Sequence, residues 1–235
     1  MSAYFVTATG TDIGKTFITA GLLRALRRRG NKVAALKPIV SGFDMANARV
    51  SDPGVLLEAM GEAPTPDAVA RISPWRFAAP LSPDMAAARE GRAIDFDAIV
   101  AFCRDAIAAR DGPLFIEGVG GVMVPLDARH TVLDWMAALD IPAILVAGSY
   151  LGTISHTLTA IDVMTRAGVK VAALVVSDSG DGAVPLVDTM ETLTRFIRPT
   201  IPTAVFLRTP NDADLRFARL TDMLIQGVTG YLAIN

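Results

Sequence analysis

The stretch "AYFVTATGTDIGKTFITAGLLRALRRRG" (residues 3–30) joins a short apolar run to a glycine-bearing turn and then to an amphipathic helix. "AYFVTA" (3–8) is continuous rather than alternating, as a strand buried on both faces requires. After "GKT" (14–16), Phe17, Ile18, Leu22, Leu23 and Leu26 recur at helical spacing. That order predicts a phosphate-binding loop, because the amides of such a turn and of the helix N-terminus point at an anion. Lys15 would reach the outer phosphates, Thr16 would ligate magnesium, and Gly14 would let the backbone approach closely. The pattern G-x-x-x-x-G-K-[ST] places its first glycine at Thr9. In a loop one residue longer, the position falls on Ala8, the smallest side chain after glycine.

The same strand–helix alternation runs through the chain. Apolar runs at 3–8, 32–37, 113–118, 142–148, 170–177 and 202–207 predict strands, and helical patterns fill 15–29, 95–110, 131–139, 153–167, 184–197 and 213–225. This order predicts an α/β fold: a doubly wound, mostly parallel sheet with helices on both faces, of the P-loop NTPase type. Residues 43–94 break the rhythm with six prolines and only a weak helix near 54–60, and read as an irregular excursion over the ligand side. With no repeat or linker visible, residues 1–235 read as a single domain.

Length and charge narrow the function classes. The chain has 235 residues, a formal net charge of -2 and a hydrophobic fraction of 51%. A near-neutral balance argues against a nucleic-acid partner held by bulk charge. The basic run Arg27-Arg28-Arg29 before Gly30 reads as the last turn of a helix. One cysteine, Cys103, excludes an internal disulfide framework and falls at helical spacing with core residues. No apolar run is long enough to span a bilayer and no secretory signal is visible, so a cytoplasmic protein without a membrane partner is expected.

Polar groups cluster at predicted strand ends. Lys37 in "LKPIVSG" (36–42) could stabilise charge on a transferring phosphoryl group, or be a solvated surface charge. Glu117 in "FIEGVGG" (115–121) could be a magnesium ligand or stand behind one, and Asp52 in "VSDPG" also reads as turn chemistry. His156 falls in the first turn of a predicted helix, with Thr153 and Ser155 as candidate caps.

Together these clusters resemble the dethiobiotin synthetase family. "GTDIGKT", "KPIVSG" (37–42), "VSD" (50–52), "PLSP" (80–83), "EGVGG" (117–121) and "LGTISHT" (151–157) match its motifs in order, over about two-thirds of the chain. The resemblance implies ATP-driven carboxylation and ring closure of 7,8-diaminopelargonate with carbon dioxide. The diamine forms a carbamate, ATP phosphorylates it, and the second amine closes the ring, leaving ADP and phosphate. It assigns magnesium to Thr16, Asp52 and Glu117, and catalysis to Lys15, Lys37 and Thr11. The nucleotide would lie on Asp12, Ile13, Gly14, Lys15, Thr16, Ser177 and Pro210. Thr11, Lys37, Ser41, Ser82 and Gly120 would hold the diamine–carbamate end. Gly152, Thr153 and Ser155 would receive the carboxylate tail from the neighbouring subunit of a homodimer.

The chain departs from the family's motifs in several places. Ala8 stands for the first loop glycine, Asp12 for the usual Glu, and Ser155 for an asparagine of the tail segment. Ser177 replaces the base-reading asparagine, and "FLRTPND" (206–212) replaces the adenine-side turn. Two other readings stay open: a related ATP-dependent ligase on another substrate, and a partition-type nucleotide switch. Gly10, where that switch class carries a second lysine, argues against the latter.

Overall fold

The computed structural model describes residues 2–178, 184–197, 200–207, 213–226 and 231–232. Six predicted strands appear as β1 (Ala3–Ala8), β2 (Ala34–Leu36), β5 (Leu114–Glu117), β6 (Ala143–Gly148), β7 (Val171–Ser177) and β8 (Thr203–Phe206). With β9 (Tyr231–Leu232) they form one sheet in the order β2-β5-β1-β6-β7-β8-β9, and every pairing within it is parallel. β1, β5, β6 and β8 are buried along their whole length, so unbroken apolar runs are what these strands need.

The six predicted helices are α1 (Lys15–Arg28), α5 (Phe96–Ala109), α6 (Val132–Leu139), α7 (Thr153–Arg166), α8 (Leu186–Phe196) and α9 (Ala213–Gln226). Each buries an apolar stripe on the sheet or on a neighbouring helix. Phe5 of β1 meets Trp135 of α6 edge-on, with ring centres 4.9 Å apart. Cys103 of α5 is fully buried, as its spacing suggested, and burial pushes its thiol up to about 12, which makes it unreactive.

The excursion differs from expectation. Residues 43–94 are not irregular: a 3-10 helix (Met45–Val50) is followed by α2 (Asp52–Met60), which is the weak helix expected near 54–60, and by α3 (Pro66–Ile72) and α4 (Pro83–Arg89), which were not expected. β3 (Ile39–Ser41) and β4 (Trp75–Phe77) pair in parallel as a second, two-stranded sheet. Three of the six prolines open helices instead of breaking them, since Pro53, Pro66 and Pro83 sit in first turns where a missing N–H costs nothing.

β1 lies inside the sheet, with β5 on one side and β6 on the other. The chain crosses over β1 between β5 and β6, so the strand ends there face the crevice where open α/β sheets bind ligands.

Candidate active site

The phosphate loop is built as a helix entrance with no side-chain cap. Gly14, the residue before α1, is left-handed at φ 104° and makes no side-chain cap bond to the first amides of the helix. Those amides, and the positive end of the helix, are left for an anion. Asp12 also takes a left-handed φ of 57°, a conformation that Asp tolerates better than most residues. Lys15 folds back so that Nζ donates to the Gly10 carbonyl at 3.0 Å. Burial, and then the nearby Lys37 ammonium, push Lys15 down to about 8.

β2, β5 and β1 are adjacent, and the segments leaving their C-terminal ends converge. Lys37 leaves β2 with its amide pinned to the Ile72 carbonyl at 3.0 Å, and its side chain turns inward, 3% exposed. Lys37 Nζ lies 2.8 Å from Glu117 Oε1, 2.9 Å from Asp52 Oδ2 and 2.9 Å from the Gly118 carbonyl. Thr16 Oγ1 donates to Glu117 Oε1 at 2.6 Å. Burial opposes the Lys37 charge, but Glu117 and Asp52 outweigh it and hold the ammonium above the ordinary lysine value. The same ammonium holds Asp52 below the usual carboxylate range against the opposing effect of its burial.

The three residues assigned to magnesium are therefore brought together around Lys37. They fit a hard cation on a direct observation: Glu117 Oε2 is buried and has no hydrogen-bond partner among the described residues. Asp52 and the Thr16 hydroxyl offer further oxygens of the kind magnesium prefers. Asp52 is not in a plain turn, as its Asp-Pro-Gly context also allowed. Ser51 caps α2, and Asp52 is its first residue, which aims the carboxylate at Lys37.

These groups open into a cavity of about 760 Å3. Its walls include Thr11, Lys15, Thr16, Lys37, Ser41, Asp52, Ser82 and Gly120, so the expected catalytic and diamine-end residues share one space. The Ser41 hydroxyl is buried without a partner among the described residues. Ser82 bonds Asp84 at 2.6 Å. Gly120 has φ 59°, and a Cβ there would stand 2.6 Å from Val124 Cγ2, so its freedom is needed by the turn itself. A second hollow of about 310 Å3 lies beside Asp12, Ile13, Gly14 and Ser177. Sequence reasoning missed Phe17, which is 45% exposed although large and apolar, and which lines both spaces. Pro210 lies outside the described residues.

Gly152, Thr153 and Ser155 line neither space. They start α7 beyond β6, where Gly152 and Ser155 are exposed. Neither Thr153 nor Ser155 caps the helix: Gly152 precedes it at φ 96° without a side-chain cap. The Thr153 hydroxyl is buried and donates to the Gly148 carbonyl at 2.6 Å, so it anchors the turn instead of offering itself to a ligand.

The chain has relatives among known proteins. A model of the family described as "AAA domain" matches residues 2–219. The chain is 50% identical over 212 residues to the ATP-dependent dethiobiotin synthetase BioD of Acidiphilium cryptum (strain JF-5), covering 90% of this chain and 95% of that protein. It is 43% identical to the protein of the same name from Caulobacter vibrioides (strain NA1000 / CB15N), over 96% and 100% of the two chains. In structure it is similar to the cell division ATPase MinD of Pyrococcus furiosus, with a TM-score of 0.59 over 97% of this chain and all of that one. At 17% identity, that likeness concerns the fold alone.

Proposed function

The chain belongs to the dethiobiotin synthetase family, and from that premise we propose how its residues share the work. The enzyme uses ATP to close the ureido ring of dethiobiotin, a step of biotin biosynthesis. A carbamate oxygen of the diamine attacks the γ-phosphorus and ADP leaves. The second amine then attacks the carbonyl carbon of the mixed anhydride, releasing phosphate, and each amine gives up its proton along the way.

The single observation that carries the assignment is the Lys37 ammonium, fully buried between Glu117 and Asp52 at the wall of the phosphate-loop cavity. A cation fixed there stabilises negative charge as it develops on the transferring phosphoryl group. Lys15 swings from the Gly10 carbonyl to the triphosphate. Thr11 and Ser41 orient the carbamate end, with Ser82 and Gly120 beside it. Thr16, Asp52 and Glu117 would hold magnesium, whose contribution is to neutralise triphosphate charge. Asp12, Ile13, Gly14 and Ser177 border the nucleoside.

The substrate's tail needs a carboxylate site, and Gly152 and Ser155 offer one at the exposed start of α7. Because these residues lie outside the cavity, the reading supplies them from a second copy, in a homodimer with one tail seat per neighbour. A reaction that consumes ATP fits the expected cytoplasmic protein.

The test is phosphate release with ATP, magnesium and bicarbonate, with and without 7,8-diaminopelargonate, reading the product by mass. Release that requires the diamine and yields dethiobiotin is expected. Hydrolysis indifferent to the diamine would move the protein to another ligase chemistry.

A further inference from the structure

One phenol touches two functional elements that otherwise have separate roles. Tyr150, in the turn between β6 and α7, places its hydroxyl 2.8 Å from His156 Nδ1 and 3.4 Å from Thr9 Oγ1. Thr9 belongs to the phosphate loop, and its amide is fixed to the Val146 carbonyl at 2.9 Å. A Cβ added at Gly121 would stand 3.2 Å from the Thr9 carbonyl, so the turn after β5 also packs closely on Thr9. His156 lies in the first turn of α7 and stands over Gly152, whose Cβ would be 3.7 Å from Cε1 of the ring. The corner between them is stitched by its own bonds: Thr153 N to Tyr150 O at 3.0 Å, His156 N to Gly152 O at 3.1 Å, and the Thr153 hydroxyl to Gly148 O.

Neither Tyr150 nor His156 is among the residues that line the reaction cavity. Their place is between the loop that takes phosphate and the helix start that takes a carboxylate. We propose that Tyr150 and His156 are positioning residues, a hydrogen-bonded strut through which a carboxylate seated at the start of α7 strengthens nucleotide binding at the phosphate loop of the same subunit. The inference rests on the carboxylate seat proposed above. Since that seat holds the tail of the substrate bound mainly to the neighbour, the strut connects the two active sites of the dimer.

The sign follows from ordering. The Tyr150 bond to His156 is short and that to Thr9 is long, so the turn is tied firmly to α7 and loosely to the phosphate loop. Fixing the start of α7 removes freedom that nucleotide binding would otherwise have to remove, and the second ligand then binds more tightly. By linkage, nucleotide strengthens carboxylate binding by the same factor.

Nonanoate is a suitable probe, because it carries the substrate's chain and carboxylate but no amine from which a carbamate forms. Calorimetric titration of the whole protein with a non-hydrolysable ATP analogue and magnesium, with and without saturating nonanoate, reads the coupling. In the wild type, nonanoate should tighten the analogue by at least about 5-fold. Tyr150→Phe keeps the ring and removes the hydroxyl. It should bind each ligand alone about as the wild type does, while the coupling factor falls to near one. His156→Ala should do the same, and the double variant should lose no more than either single one. A coupling factor retained in Tyr150→Phe overturns the strut, as does nonanoate binding without any effect on the nucleotide. If nonanoate does not bind at all, the carboxylate seat fails and the strut fails with it.

Discussion

Lys37 and Lys15 are close enough to influence each other, yet the protein drives their proton affinities apart. Lys37 is held between two carboxylates, and removing it leaves Glu117 buried with an uncompensated charge, a change of about 3–5 kcal/mol in comparable pairs. Lys37→Ala should therefore lower turnover by about 10²–10³-fold while nucleotide affinity changes much less. Its melting temperature should also rise more than the wild type's on adding magnesium and ADP, since magnesium would replace the missing counter-charge. Equal thermal shifts in the two proteins would refute the charge argument, and unchanged turnover would refute the catalytic role. Lys15 has the opposite sign. Its folded value of about 8 lies below the ordinary 10.5, so the unfolded chain binds more protons between the two, and the nucleotide-free protein gains stability as pH climbs through that window. A triphosphate pulls the value back up. Nucleotide binding above about pH 8 should thus take up a proton, and affinity should fall as pH rises. Calorimetry in two buffers of different ionisation heat checks this, and a heat independent of buffer would count against it. Lys37 and Glu117 were legible because they stand at the ends of predicted strands, whereas Asp52 was hidden in turn chemistry until the Ser51 cap showed which way it faces.

Between elements, α1 and α9 show how differently two kinds of contact weigh. Arg28 pairs with Asp214 and Arg29 with Asp222, which gives the basic run a role beyond ending a helix. Arg28 and Asp214 are 53% and 78% exposed, so their pair is worth about 0–1 kcal/mol and is screened by salt. Gly21 of α1 lies directly beneath the Phe217 ring of α9, and a Cβ there would come within 2.0 Å of Cζ. Gly21→Ala, ordinarily favourable in a helix, should here destabilise by about 1–3 kcal/mol through overpacking. Adding Phe217→Leu should return part of the loss, as read from urea midpoints; a Gly21→Ala protein as stable as the wild type would contradict the packing. The long elements were legible because a strand buried on both faces and a helix with one apolar stripe each impose a period on the sequence. The segment 43–94 was legible only at α2, the weak helix expected near 54–60, although Ser51 ahead of Pro53, Thr65-Pro66 and Ser82-Pro83 are all helix starts by their chemistry. α2, α3 and α4 are seven to nine residues long and set among six prolines, so little of each pattern stands clear of a residue that usually breaks a helix. β3 and β4 are three residues each and pair Ile39 with Trp75, a partnership that no local pattern contains.

For the whole molecule, the decisive feature is that the residues expected to bind one small substrate do not share one cavity in one chain. Thr11, Lys37 and Ser41 face the phosphate loop, while Gly152 and Ser155 lie outside that space. If a second copy supplies the tail seat, each active site draws its two ends from different chains, and that has a consequence for mixed dimers. Take one chain with Lys37→Ala and another with Ser155→Asp, whose added charge repels a carboxylate while remaining compatible with a helix start. Each homodimer has every site defective. In the mixed dimer, one site combines both defects, and the other combines an intact Lys37 with an intact Ser155. After unfolding and refolding an equal mixture, half of the dimers are mixed and each has one working site, so activity should return to about a quarter of the wild type. Were both ends supplied by the same chain, mixing would restore nothing, because every chain would carry its own defect. Recovered dethiobiotin formation in the mixture, absent from either variant alone, is therefore the result that only a shared site can give.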